Sequence, residues 1–177
     1  QNSTTTLVSP FVGLAPVNVD TDGGSYDPSV SDDGRFVAFL SEATNLVAND
    51  TNFMTDAFVY DRFLGVTTRV SVATGNVQAN NSTSEVVISG DGRYIAFTSD
   101  ATNLVAGDSN GVSDVFVYDR QTAQTTRVSL ANGVGQANNQ SSQPSISSTG
   151  RFVAFTSLAT NLVTGDTNGV SDVFVRD

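Results

Sequence analysis

The sequence predicts an all-β fold built from tandem sheets, and three observations support this. Arg35-Phe-Val-Ala-Phe39, Arg93-Tyr-Ile-Ala-Phe97 and Arg151-Phe-Val-Ala-Phe155 recur every 58 residues. Asp56, Asp114 and Asp172 keep the same offset, as do the identical pentapeptides at 43–47, 101–105 and 159–163, so three units follow one another in one register. Ser, Thr, Asn, Gly and Val dominate the composition, a palette that suits strands and polar turns. The apolar runs are of strand length and are separated by Gly, Asn and Asp.

Each unit reads as four short strands. A Ser-rich run such as Pro144-Ser-Ile-Ser147 is the first, closed by a corner at Asp33-Gly34, Asp91-Gly92 or Thr149-Gly150. The second, Arg93 to Ser99, is apolar on both faces and has to be covered on both sides. The third, Val115 to Tyr118, follows a long loop and is again apolar on both faces. The fourth, Thr125-Thr-Arg-Val-Ser129, alternates as a half-exposed edge strand does. Small Ser side chains at the inner strand and polar residues at the outer one describe the blade of a β-propeller, packed face to face around an axis. A strict repeat favours this radial arrangement over a Greek-key sandwich or an open solenoid.

The expected organisation is therefore a single propeller domain of four-stranded antiparallel blades, three per chain. Residues 26–71 form repeat 1, residues 84–129 repeat 2, and residues 142–177 a third repeat without its fourth strand. The chain opens with Thr4-Thr-Thr-Leu-Val-Ser9, which reads as a fourth strand, and ends with Asp172-Val-Phe-Val-Arg-Asp177, a third strand. Residues 1–9 are thus expected to supply the outer strand of a final blade and leave no unpaired edge. Known propellers have about four to eight blades. Three blades then point to a partner that is the chain itself, joined through Thr4 to Ser9 and Asp172 to Asp177 either as a closed two-fold six-bladed dimer or as a head-to-tail filament.

The formal net charge is −10, with eight Arg and no Lys or His, so no basic stripe exists to neutralise phosphates and nucleic acid is not expected as a partner. No apolar run approaches the roughly 20 residues that span a bilayer, and membrane insertion is not expected. The first residue is Gln1 and the one Met is Met54. That start, with an acidic Asn/Ser/Thr-rich surface, suits an exported chain at the cell surface, in the periplasm or secreted, or an excised fragment.

Ser89-Gly-Asp-Gly-Arg-Tyr-Ile-Ala-Phe-Thr-Ser99 and Asp114-Val-Phe-Val-Tyr-Asp119 resemble the two sequence blocks of the TolB-type β-propeller repeat, and the resemblance extends from about Tyr26 to Asp177. The Ala-Thr-Asn-Leu-Val loop resembles that of large exported bacterial proteins assembled from such repeats. Membership implies a periplasmic or secreted scaffold, a platform for a protein or glycan ligand, since propellers of this kind serve as scaffolds and some are fused to peptidases.

The loop between the second and third strands carries the most suggestive polar pattern. Asp50, Asn52 and Asp56, then Asp108, Asn110 and Asp114, then Asp166, Asn168 and Asp172 occupy positions one, three and seven of its three copies. Oxygen ligands at that spacing suit a hard cation, Ca2+ above all. The same residues also build a purely structural turn, with Asx side chains bonded to nearby amides and Asn-Gly at a left-handed corner. Phe53 replaces that Gly in the first copy. Arg35, Arg93 and Arg151 repeat together with Asp61, Asp119 and Asp177 and read as structural ion pairs or strand-end caps. Arg69 and Arg127 read as edge-strand charges that blunt aggregation. Phe53, Met54, Phe63 and Leu64 break the repeat and read either as an apolar partner contact or as a local change of packing. Sequons at Asn2, Asn49, Asn80, Asn81 and Asn139 are glycan acceptors only in a cell that modifies them.

No catalytic residue is expected. Without His, Lys or Cys there is no usual base for a Ser nucleophile, no Schiff base and no thiolate. Paired carboxylates of a glycosidase are the remaining catalytic option, against which stand the structural twins of most Asp residues and the non-equivalent Glu42 and Glu85. The function expected from sequence is a non-enzymatic structural and assembly module joined by strand complementation. A ligand-binding propeller scaffold within a larger secreted protein is the alternative.

Overall fold

The structure, a computed structural model, describes residues 4–9, 21–132 and 135–177. Thirteen strands follow in order: β1 Ser25–Val30, β2 Phe36–Ser41, β3 Asp56–Asp61, β4 Val66–Arg69, β5 Val72–Ala73, β6 Val77–Gln78, β7 Thr83–Ile88, β8 Tyr94–Ser99, β9 Asp114–Asp119, β10 Gln124–Arg127, β11 Ser141–Ile146, β12 Val153–Ser157 and β13 Asp172–Arg176. There is no helix among the described residues, and so none long and apolar enough to cross a membrane. The chain is an all-β propeller of antiparallel blades: β1-β2-β3-β4 is blade one, β7-β8-β9-β10 blade two, and β11-β12-β13 blade three. The small hairpin β5-β6 links the first two blades.

The corner between first and second strands shows why Ser-x-Asp-Gly-Arg recurs. Ser89 Oγ donates to Asp91 Oδ1 at 2.5 Å and accepts from the Tyr94 amide at 2.9 Å, while the Arg93 amide donates to the same Asp91 oxygen at 2.9 Å. Gly92 sits at φ 71°, the left-handed region where a Cβ is penalised. Glycine answers a second demand here: a Cβ on Gly92 would strike the Phe36 ring of blade one, and one on Gly150 the Tyr94 ring of blade two.

Blades pack front to back. The back of blade one (Ala38, Leu40, Ala57, Val59) and the front of blade two (Phe97, Phe116, Tyr118, Leu104) share one core, joined by Val70 and Val72 from the link. The back of blade two (Ala96, Val115, Val117) meets the front of blade three (Phe155, Leu162, Phe174) in the same manner, joined by Val128. In each blade the second and third strands stack a Phe pair, at 5.8, 5.8 and 5.9 Å between ring centres. Inner strands bind one another directly: Asp27 accepts from the Val86 amide at 3.1 Å and Glu85 from the Gln143 amide at 2.6 Å. Asp27 and Glu85 are register equivalents. Position 144 is a proline without an amide hydrogen, so the bond falls one residue earlier in blade three.

The stretch Thr4 to Ser9, expected as a strand, forms none within the single chain. Thr4 to Leu7 are exposed, and Val8 packs on the front of blade one with Phe39, Leu46, Phe58 and Tyr60. Residues 1–3, including Asn2 and its sequon, lie outside the described residues.

Candidate functional site

Arg69 and Arg127 do not lie along an exposed edge as their strand suggests; they turn inward, with side chains 10% and 6% exposed. Arg69 Nη1 lies 3.2 Å from Asp50 and 3.4 Å from Asp56. Arg127 Nη1 lies 2.9 Å from Asp108 and 3.1 Å from Asp114. In blades one and two, then, a guanidinium supplies positive charge between the first and seventh positions of the acidic loop.

Further donors complete each cluster. Ser71 Oγ and Ser129 Oγ donate to Asp56 Oδ1 and Asp114 Oδ1, both at 2.5 Å. Asn52 and Asn110 turn their amide nitrogens to the same Asp residues, at 3.3 and 2.9 Å, and their oxygens to the Met54 and Val112 amides. Gln78 Nε2 bonds both Asp50 and Asp56. Burial pushes the Asp50 and Asp108 carboxyls up from their ordinary value; the repulsion of Asp56 adds to this at Asp50, and the Arg127 charge opposes it at Asp108.

Blade three carries the same loop without the arginine. Asn168 Nδ2 donates to Asp172 Oδ2 at 2.9 Å, and the Val170 amide donates to Asn168 Oδ1 at 3.0 Å, so the turn itself is intact. Asp166 Oδ1 is inaccessible and has no hydrogen-bond partner. No strand borders the outer side of β13 among the described residues. A cleft of about 570 Å³ runs there, lined by Asp166, Asn168, Asp172, Val173 and Val175 among others. Val173 and Val175 are 76% and 69% exposed, whereas their equivalents Val115 and Val117 in blade two are 0% and 9% exposed.

Residues at the two ends of the blade stack occupy places equivalent to a contact made between blades one and two. Arg120 of blade two stacks its guanidinium 3.8 Å from the Phe36 ring centre of blade one and donates to Gly92 O at 2.6 Å. In blade three, Phe152 holds the position of Phe36 and is 42% exposed. In blade one, Arg62 holds the position of Arg120 and donates to Gly34 O at 2.8 Å, and among the described residues only the Arg62 side chain is close to where a Gly34 Cβ would lie. Phe152 and Arg62 thus hold, at the two ends of the stack, the places of the Phe36 and Arg120 that meet between blades one and two, while Phe39, Leu46 and Phe58 on the front of blade one are already buried in the single chain.

Other residues singled out by sequence have structural places. Arg35 and Arg93 form two-pronged pairs with Asp61 and Asp119, each with a closest contact of 2.7 Å, and Arg151 pairs with Asp177 at 2.8 Å. Phe53 and Met54 precede β3 whereas Phe63 and Leu64 follow it, so the expected apolar cluster is two separate exposed sites at opposite ends of one strand. Glu85 is engaged by Thr98 Oγ1 at 2.7 Å as well as by the Gln143 amide. The Asn80 side chain is held on Thr102.

No protein-family model matches the chain, and no curated protein matches it. Solved structures do. The putative TolB of Agrobacterium tumefaciens is similar at a TM-score of 0.50 and 19% identity, over 76% of this chain and 38% of that one. The tricorn protease is similar at a TM-score of 0.50 and 14% identity, over 77% of this chain and 11% of that one. This chain therefore spans well under half the length of either. At these identities the likeness is one of fold, and it agrees with the blades described above: the chain has a β-propeller fold of the kind found in TolB.

Proposed function

We propose that the chain is a non-enzymatic, TolB-like structural and assembly module of the cell envelope or the exterior. It joins to further copies by completing the third blade of one chain with the Thr4 to Ser9 segment of another. The observation that carries this reading is the place of Val8. In the repeat register Val8 matches Val70 and Val128. Val70 and Val128 lie in the cores between blades one and two and between blades two and three, and Val8 lies on the front of blade one. The segment before Val70 is β4 and the segment before Val128 is β10, each the outer strand of the preceding blade. Thr4 to Leu7 therefore extend from the position at which an outer strand of a preceding blade would run.

A second copy with its third blade set before blade one would bring β13 alongside that segment. It would also cover Val173 and Val175, which are exposed in the single chain, and set Phe152 against Gly34 and under Arg62, on a side of blade one where Phe39, Phe58 and Leu46 are already buried. Fully covering an exposed Val or Phe stabilises by about 1.5 to 3 kcal/mol, a gain open to Val173, Val175 and Phe152, and an added strand satisfies the open amides and carbonyls of the edge. Two chains related by a two-fold axis make a six-bladed ring, and the same contact repeated without closure makes a filament.

Deletion of residues 1–9 tests the reading. The shortened chain keeps its strand content and loses its oligomer, as read by native mass. A shortened chain with the same mass distribution as the intact one would reject strand complementation.

A binding scaffold is the second reading. It is favoured by Phe53 and Phe63, which are 82% and 81% exposed and lack an aromatic equivalent in the other repeats.

A further inference from the structure

We infer that the open edge of β13, with Asp166 and Asp172, is an acceptor selective for an extended segment that carries arginine, with the spacing Thr-Thr-Arg-Val-Ser. This inference rests on the proposed strand complementation of blade three and specifies which strand the edge takes most tightly, the chain's own Thr4 to Ser9 segment being a weaker occupant.

Blade two shows the occupied form. In β10, Thr126 pairs with Val117 and Arg127 with Phe116. From that register the Arg127 side chain reaches Asp108 and Asp114, and Ser129, two residues on, donates to Asp114. Blade one repeats this with Arg69, Asp50, Asp56 and Ser71. The loop, the third strand and the Asn-to-Asp bond are all present in blade three, and only the strand with its arginine is lacking among the described residues. Asp166 Oδ1, the equivalent of the Asp108 oxygen that meets Arg127, is inaccessible and unpartnered. An incoming strand that follows the β9 to β10 register would set its arginine opposite Phe174, in reach of both carboxylates.

The chain's own donor segment does not supply this group. In Thr4-Thr-Thr-Leu-Val-Ser9 the residue in register with Arg69 and Arg127 is Leu7. A second copy can cover the edge and place Ser9 near Asp172, but it leaves the acidic pair without a counter-charge. Close charge pairs at interfaces fix register and reject wrong partners, so the edge discriminates in favour of an arginine-bearing strand from another protein built of such repeats.

The test uses a labelled peptide matching residues 124–130 of this chain and a second peptide with its arginine replaced by leucine, each titrated into the intact protein. The arginine peptide is expected to bind at least tenfold more tightly, and the preference is expected to shrink to within twofold in the Asp166→Asn/Asp172→Asn variant. Equal affinity of the two peptides, or no binding of the arginine peptide, overturns the inference. Calcium chloride that displaces the arginine peptide and itself raises the melting temperature would overturn it too, since the pair would then be a cation site. A second variant removes dependence on the acidic substitutions: Leu7→Arg is expected to strengthen self-association at least tenfold, and an unchanged or weaker association counts against the inference. Wild-type protein that stays a single chain would reject the self-assembly reading alone, because the preference between the peptides is read on one chain.

Discussion

Arg120 on blade two lies over the Phe36 ring of blade one, 3.8 Å from its centre, and donates to the Gly92 carbonyl at the same time. One side chain thereby pins two neighbouring blades, and burial draws its guanidinium down from the ordinary arginine value. Loss of a desolvated cation–π contact and its hydrogen bond costs about 2 kcal/mol. Arg120→Ala is expected to lower the denaturant midpoint accordingly. Arg62→Ala, at the equivalent place on the front of blade one, should leave the single-chain midpoint within about 0.5 kcal/mol and weaken self-association. A chain destabilised equally by both substitutions would contradict the assignment of blade one's front as a docking face.

Arg127→Leu places in blade two the residue that position 7 carries in the donor segment. It leaves Asp108 and Asp114 buried without their guanidinium, and a buried charge stripped of its partner costs about 3 to 5 kcal/mol. Equilibrium unfolding should show a loss of that size. Asp172→Asn, where no arginine is in place, should cost under about 1 kcal/mol in the single chain. Similar losses from the two would show that the guanidinium is not what holds the loop.

Phe53 holds a left-handed backbone, φ 57°, where the other two copies have Gly111 and Gly169 at 71° and 68°. A bulky L-residue pays about 1 to 2 kcal/mol there, and the ring, 82% exposed, recovers little by packing. Phe53→Gly is expected to raise stability by about 1 kcal/mol, seen as a higher melting temperature. A lower melting temperature would mean that the ring makes a stabilising contact.

Acid sensitivity follows from the strand-end ion pairs. Hydrogen bonds from Arg35 hold the Asp61 carboxyl down to about 2 from an ordinary 3.8, and those from Arg93 hold Asp119 well below the usual carboxylate range. A carboxyl with a depressed folded value contributes stability that is full above the unfolded value and is lost as pH falls through the folded one. Asp61 therefore weakens the fold between about pH 4 and pH 2. The raised carboxyls of Asp50 and Asp108 act with the opposite sign, since protonation relieves their burial. Asp61→Asn/Asp119→Asn should flatten the fall in stability across that window in urea titrations, and an unaltered slope would contradict the pairing.

The repeat made the fold legible. Spacing alone located the strands of the three blades, the glycine corners and the strand-end pairs of Arg35, Arg93 and Arg151, because each side chain there answers to a partner within its own blade. It did not locate the hairpin β5-β6, and Thr4 to Ser9 forms no strand in the single chain. Contacts between elements far apart in sequence were harder to read. Arg69 and Arg127 sit on edge strands, where a charge is ordinarily exposed, and only the fold brings Asp50 and Asp108 beneath them. The substitution of Leu7 for arginine in the third such strand was the available signal. Glu85 looked isolated beside Glu42, yet its register partner is Asp27, and the shared role is visible only once inner strands line up around the axis. The corner at Phe53 kept its backbone although the glycine was gone, since Asn52 still binds the Met54 amide at 3.0 Å.

Sedimentation equilibrium of the intact chain across a wide concentration range tests most directly whether blade three of one copy docks before blade one of another, as proposed. A two-chain species, or a series that grows with concentration, is the predicted result. A single-chain mass at every concentration, with Val173 and Val175 still open to solvent, would contradict it.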